Sequence, residues 1–145
     1  MHAIVLALAL TCPHDPTLDA AARAARVPPA IVRAVARVES SCRPDAVSIT
    51  GALGLMQVLP SWGRSNLTAR CDPLAHILHA APSLTTPAIN ACFGARILRY
   101  ELARAHGSWR RALRGYSGNA YPAYEAHVRR ALRSLQRAQH APAHS

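Results

Sequence analysis

Glu39, Ser48 and Gln57 are the residues whose types and spacing most suggest chemistry, and all lie in one stretch, ESSCRPDAVSITGALGLMQVLP, residues 39–60. A carboxylic acid can hand a proton to a leaving oxygen and then take one from a hydroxyl. A hydroxyl and a side-chain amide near it offer uncharged donors and acceptors. An acid among neutral hydrogen-bonding groups suits an uncharged polar substrate such as a sugar. Gly51 and Gly54, three apart, allow the backbone to come close to a ligand or another segment, with apolar Leu55 and Met56 beside Gln57.

An amphipathic helix must position the acid. With Ile31 at zero and a step of about 100° per residue, Val38, Val35 and Val32 fall at roughly −20°, 40° and 100°. Glu39 falls at about 80°, inside that apolar arc, with Arg33 and Arg37 on the opposite side. A carboxylate on an apolar face loses hydration, so its pKa should rise toward the range a general acid needs near neutral pH.

The rest of the chain reads as helices punctuated by proline, with no sustained strand-type alternation. Asp15-Pro16 reads as N-cap and first turn of a helix to about Val27, and Pro28-Pro29 opens the helix that ends near Glu39 to Ser41. Pro44 stops it. A short helix is expected around Leu53 to Val58, another after Ser61, and a third near Leu74 to Ala80. Thr86-Pro87 opens a long helix to about His106, with Ile89, Phe93, Ile97 and Tyr100 as its stripe. Ser108 caps a short helix, Gly115 to Tyr121 reads as a loop, and Pro122 starts a last helix facing inward through Val128, Ala131, Leu132 and Leu135. The expectation is one mostly α domain over residues 17–137, a segment 1–16 before it and a flexible tail at 138–145.

Only one acid is convincing. Asp15 and Asp72 precede prolines and look like caps; Glu101 and Glu125 sit among arginines and read as surface pairs; Asp45 belongs to a Pro-Asp-Ala turn. Glycosidases commonly use two carboxylates, about 5–5.5 Å or about 6.5–9.5 Å apart, and no partner for Glu39 is evident. His76 and His79, or His140 and His144, lack a third ligand of clear spacing, so no metal and no cofactor are expected.

These blocks resemble a family. Glu39-Ser40, Ser48 and GALGLMQ, then Asn90 and Gly94 in NACFGARIL and Tyr116 in ALRGYSGN, are similar to the lytic transglycosylases with a lysozyme-like (soluble lytic transglycosylase) domain. The likeness covers residues 18–132; it loosens after Tyr116, where Ser117 replaces the usual Asn and Gly118-Asn119 follow. It implies a lysozyme-like fold with an active-site cleft. It also implies that one Glu, here Glu39, protonates the oxygen between N-acetylmuramic acid and N-acetylglucosamine, then acts as base on the muramoyl C6 hydroxyl. That closes a 1,6-anhydro ring without water. On the same likeness, Ser48 and Gln57 hold substrate groups and Tyr116 is a cleft aromatic. Met56 and Asn90 match motif positions with either a substrate contact or a structural role, and Ser117 and Asn119 could line the same loop. A hydrolytic muramidase of goose-type lysozyme character is the alternative on the same Glu.

Composition sets the surroundings. The 145 residues are half hydrophobic, enough for one core, and all 17 basic residues are Arg against 7 acids, a net charge of +10. The charge favours an anionic partner and does not choose among peptidoglycan with its acidic polymers, nucleic acids and anionic membranes; the resemblance implies peptidoglycan glycan strands, for a monomer. A basic wall- or membrane-binding accessory role is the alternative of another class. No DNA-binding motif accompanies the arginines, so no nucleic acid is expected. The apolar run Ala3 to Leu10 has the length of an export-signal core but only Met1-His2 before it, and reads either as a shortened signal (1–11) or as an ordered N-terminal segment. The expected place is the periplasm, the envelope or the exterior, with a phage lysin as alternative; own-wall turnover and a secretion apparatus fit equally. Four cysteines without a C-x-x-C pair are compatible with disulfides in such a place. Of three pairings, Cys42–Cys71 with Cys12–Cys92 is favoured because a bridge at Cys42 could stiffen the loop after the acid.

Overall fold

The computed structural model describes residues 11–118 and 122–142. Within them lie six α-helices: α1 Asp15–Ala25, α2 Pro29–Ser40, α3 Pro73–Ile77, α4 Pro87–Arg104, α5 Trp109–Tyr116 and α6 Tyr124–His140. Proline marks the first turn of four of them (α1 to α4), where its missing N–H costs nothing. A 3-10 turn, Pro60–Arg64, lies between α2 and α3. The mostly helical reading therefore stands.

The core sits between the helices. α4 is the central element: it packs on α1 and α5, while α2 packs on α1 and α6. Leu18 and Ala22 of α1, Val32 and Val35 of α2, Phe93 and Leu98 of α4, and Val128 of α6 are all buried in one cluster with Leu55 and Met56. The stripe expected on α4 holds at Phe93 and Ile97; Tyr100 turns outward, 41% exposed, edge-on to Trp62 and beneath Arg104.

The polar side of α2 is paired with α1. Arg37 makes two bonds to Asp15 at 3.0 and 2.9 Å, and Arg33 makes two to Asp19, one of them at 2.7 Å. Asp15 is thus not the N-cap that its place before Pro16 suggested. His14 is the cap, and the Asp15 carboxylate serves as a cross-helix anchor. Glu101 and Glu125 are likewise not surface groups: both are largely buried, each with its arginine, Arg104 and Arg129, at the surface side. Asp72 does cap α3, accepting from Ala75 N, and also from Ser83 N at 2.9 Å.

The stretch 53–58 corrects a second expectation. It is no helix but a tight turn, with Val47 and Val58 each forming an antiparallel bridge with Leu53. Its closing bonds run both ways between Leu53 and Val58, at 2.9 Å each. Gly54 explains the choice: its φ is +75°, and a Cβ there would fall 2.4 Å from both Asn90 Nδ2 and Leu84 O. The helices at the C-terminal end also differ in extent: α5 continues through Tyr116, where a loop was expected, and α6 runs to His140, into the expected tail.

Candidate active site

α2 delivers Glu39 one residue before its end. Ser41 and Cys42 then take left-handed conformations, φ 53° and 62°, and donate back to Arg37 O at 3.0 Å and Ala36 O at 3.3 Å. The chain therefore reverses immediately beyond the acid. Ser40, buried, locks that end to the turn: its hydroxyl donates to Leu55 O at 2.8 Å and accepts from Arg43 N at 3.1 Å.

The Glu39 carboxyl is half-buried, and burial pushes its pKa from the ordinary 4.5 to about 7, against a smaller opposing pull from a Tyr124 hydrogen bond. Tyr124 Oη donates to Oε1 at 2.7 Å. The Tyr124 phenol is itself held well above its usual range, by burial first and then by the Glu39 charge. Tyr116 stacks on it with ring centroids 6.4 Å apart and donates its own hydroxyl to Met56 O at 2.8 Å. Two aromatic rings thus wall the acid, and one of them touches it.

The loop 46–57 is held by its own polar groups. Ser48 Oγ accepts from Ala52 N at 3.0 Å and lies 2.9 Å from Thr50 Oγ1. Gln57, at φ 49°, donates through Nε2 to Ala46 O and Gly54 O. Asn90 binds the turn from below: Oδ1 accepts from Met56 N, and Nδ2 donates to Leu53 O and Leu84 O, all at 2.8 Å. Met56 packs its sulfur against Gly94, where a Cβ would fall 2.3 Å from Sδ.

Residues 16–141 match the family model described as the transglycosylase SLT domain. The chain belongs to that family. Two solved structures similar to this SLT domain are an inactive mutant of the lytic transglycosylase Slt from Pseudomonas aeruginosa (23% identity, TM-score 0.59) and the 70 kDa soluble lytic transglycosylase of Escherichia coli (24% identity, TM-score 0.58). Each likeness covers 85% of this chain, which spans only 20% and 19% of those chains, and at such identity it speaks for the fold: the lysozyme-like architecture of the SLT family. Among curated proteins nothing matches.

Within this SLT domain Glu39, Tyr116 and the Gly54–Gln57 turn come together through Tyr124 and Met56. Met56 and Asn90 have no exposed surface, so in this arrangement their part is to hold the turn. Ser117 donates to Arg114 O at 2.9 Å, and Asn119 lies outside the described residues, as do residues 1–10 of the expected signal. Sequence reasoning missed Tyr124. Its signal was faint: an aromatic at the start of the last helix, far along the chain from Glu39, with no motif block around it. The favoured cysteine pairing is overturned as well. Cys71 bonds to Cys92, joining the segment before α3 to α4, and Cys12 and Cys42 are free thiols. α3 and the 3-10 turn enclose a cavity of about 540 Å³ with Arg64, His76 and His79 in its wall; Glu39 is not part of it. Among the described residues no three His, Cys, Asp or Glu side chains gather as a metal site would require.

Proposed function

We propose that this SLT domain is a peptidoglycan lytic transglycosylase in which Glu39 alone serves first as acid and then as base. The observation that carries the reading is a half-buried carboxyl with a pKa of about 7, bonded by a tyrosine on one oxygen. At neutral pH such a group is divided between its two forms, as a residue that must both give and take a proton should be.

The other acids support a single-carboxylate scheme. Asp15, Asp19, Glu101 and Glu125 are engaged by arginines, Asp72 caps α3, and Asp45 is exposed in its turn. Tyr124 occupies Oε1, which leaves Oε2 to carry the mobile proton. That proton goes to the glycosidic oxygen between N-acetylmuramic acid and N-acetylglucosamine as the C1–O bond breaks. The Glu39 carboxylate, steadied by the Tyr124 hydroxyl, then takes the proton of the muramoyl C6 hydroxyl while O6 bonds to C1. The products are a 1,6-anhydro end and a free 4-hydroxyl, and the enzyme returns to its starting form. Ser48 and Gln57 line the loop facing the substrate, Tyr116 backs Tyr124, and Met56 and Asn90 hold the turn. One of the similar structures is an inactive mutant in which a glutamate is changed to glutamine, which fits an essential glutamate here. A site of action in the cell envelope follows from the substrate.

The test is clearing of purified peptidoglycan. Glu39→Gln should lower the rate by roughly 10²–10⁴-fold with the fold intact by circular dichroism. Full activity in a folded Glu39→Gln protein would refute the assignment.

A further inference from the structure

The proposed chemistry leaves two thiols unused, and they meet behind the catalytic helix. Cys12 precedes α1 and is buried; Cys42 follows α2, three residues beyond Glu39, and is partly exposed. Cys12 is one of the groups that bear on the Cys42 thiol, and both cysteines bear on Arg37 beside them. Both belong to the same apolar cluster, Cys12 within it and Cys42 packed against it.

Their backbones are tied to one ion pair. Asp15 N donates to Cys12 O at 3.0 Å, and the Asp15 carboxylate holds Arg37. Arg37 O accepts from Ser41 N, and its neighbour Ala36 O accepts from Cys42 N at 3.3 Å. The contact between the two thiols is therefore imposed by the packing of α1 on α2 rather than by a chance meeting of loop ends. Cys71 and Cys92 are already bonded, and a chain that carries one such bond matures where thiols are oxidised.

We propose that Cys12 and Cys42 form a second disulfide, which ties the segment before α1 to the end of the helix that carries Glu39. In forming it the two sulfurs lose two protons and two electrons. A disulfide oxidant, small or protein-borne, takes them and departs as two thiols. A cavity of about 300 Å³, walled by Thr11, Ser41, Cys42 and Ser134 among others, gives such an oxidant access to the Cys42 side.

The bond is structural rather than redox-active. Burial, and then the Cys12 neighbour, push the Cys42 thiol up to about 12. A sulfur that so resists becoming a thiolate is a poor leaving group, so exchange through Cys42 is slow once the bond exists. Its effect on the site is to hold the chain reversal after Glu39 against the N-terminal segment. The inference stands on the thiol contact and does not depend on the reaction proposed above.

Trypsin distinguishes the pairings cleanly. Cys71 and Cys92 fall in one fragment, 71–96, so their bond stays internal. Cys12 falls in 1–23 and Cys42 in 38–64, because the Arg43–Pro44 bond resists cleavage. Full-length protein folded with a mixture of reduced and oxidised glutathione would be alkylated, digested without reductant and weighed. The expected species joins 1–23, or what processing leaves of it, to 38–64, and it separates on reduction. Alkylated Cys12 and Cys42 in separate fragments, Cys12 joined to 71–96, or a mature chain lacking Cys12 would each overturn the proposal. A double Cys12→Ser, Cys42→Ser variant should melt about 5–15 °C below the oxidised protein. An unchanged melting temperature would overturn the stapling role.

Discussion

Replacing Glu39 by Gln should stabilise the protein at alkaline pH while abolishing its chemistry. In the unfolded chain the carboxyl ionises near its ordinary 4.5; in the folded protein burial raises this to about 7. Between those values the native state holds a proton that the unfolded state releases, so stability falls as pH rises. The contribution is fully present below 4.5, declines through about 7 and is then lost. The difference between 4.5 and about 7, at 1.36 kcal/mol per tenfold change in proton affinity, amounts to roughly 3 kcal/mol. Gln has nearly the same volume, keeps an oxygen for Tyr124 and cannot ionise. At about pH 8 the variant should therefore be more stable by up to roughly 3 kcal/mol, or about 6–12 °C in melting temperature, and at about pH 4 the two should coincide. Asp19, whose carboxyl is held below its usual range by the Arg33 bond, gives both proteins the same slope and cancels in the difference. Urea or thermal unfolding of both proteins across that range measures the difference curve. A difference that stays flat with pH, or a variant less stable at pH 8, would refute the desolvated acid.

Further outcomes follow from the same geometry. Wild-type activity on peptidoglycan should decline as pH rises through about 7, where Glu39 loses its proton; Tyr124→Phe removes the bond that favours the ionised form, so this limb should move to higher pH as the maximal rate drops. An unmoved limb in a pH–rate profile would contradict that role for Tyr124. Gly94→Ala drives a methyl into Met56 and should cost about 1–3 kcal/mol by urea unfolding, since overpacking there has only the Met56 side chain to displace. Asn90→Ala strands Met56 N and Leu84 O, while Leu53 O keeps its bond from Val58 N, and should cost roughly 2–4 kcal/mol, with activity falling more than melting temperature because the Gly54–Gln57 turn loosens.

What could be read from the chain was what local rules govern. Apolar periodicity placed Glu39 on the buried side of α2, and desolvation then accounts for its raised pKa. Prolines marked the starts of α2, α3 and α4 because a first-turn residue needs no N–H. The errors lie where a distant partner overrides the local signal. Asp15 looked like a cap until Arg37 of the next helix claimed it. Leu53 to Val58 has helix-forming Leu, Met and Gln, yet Gly54 and the Asn90 side chain set a turn instead. Pairing of cysteines depends on how α1, α2 and α4 pack, which no spacing reveals. Tyr124 was hidden for the same reason: its bond to Glu39 exists only because α6 lies against α2.

The central claim is that one glutamate closes an anhydro ring, and the products report on it directly. Muropeptides released from purified peptidoglycan by the wild-type protein, with Glu39→Gln as control, would be examined by mass spectrometry. The account predicts ends of 1,6-anhydromuramic acid, one water lighter than reducing ends, from the wild type and none from the variant. Reducing ends would show that water, not the C6 hydroxyl, meets the cleaved carbon, and would contradict it.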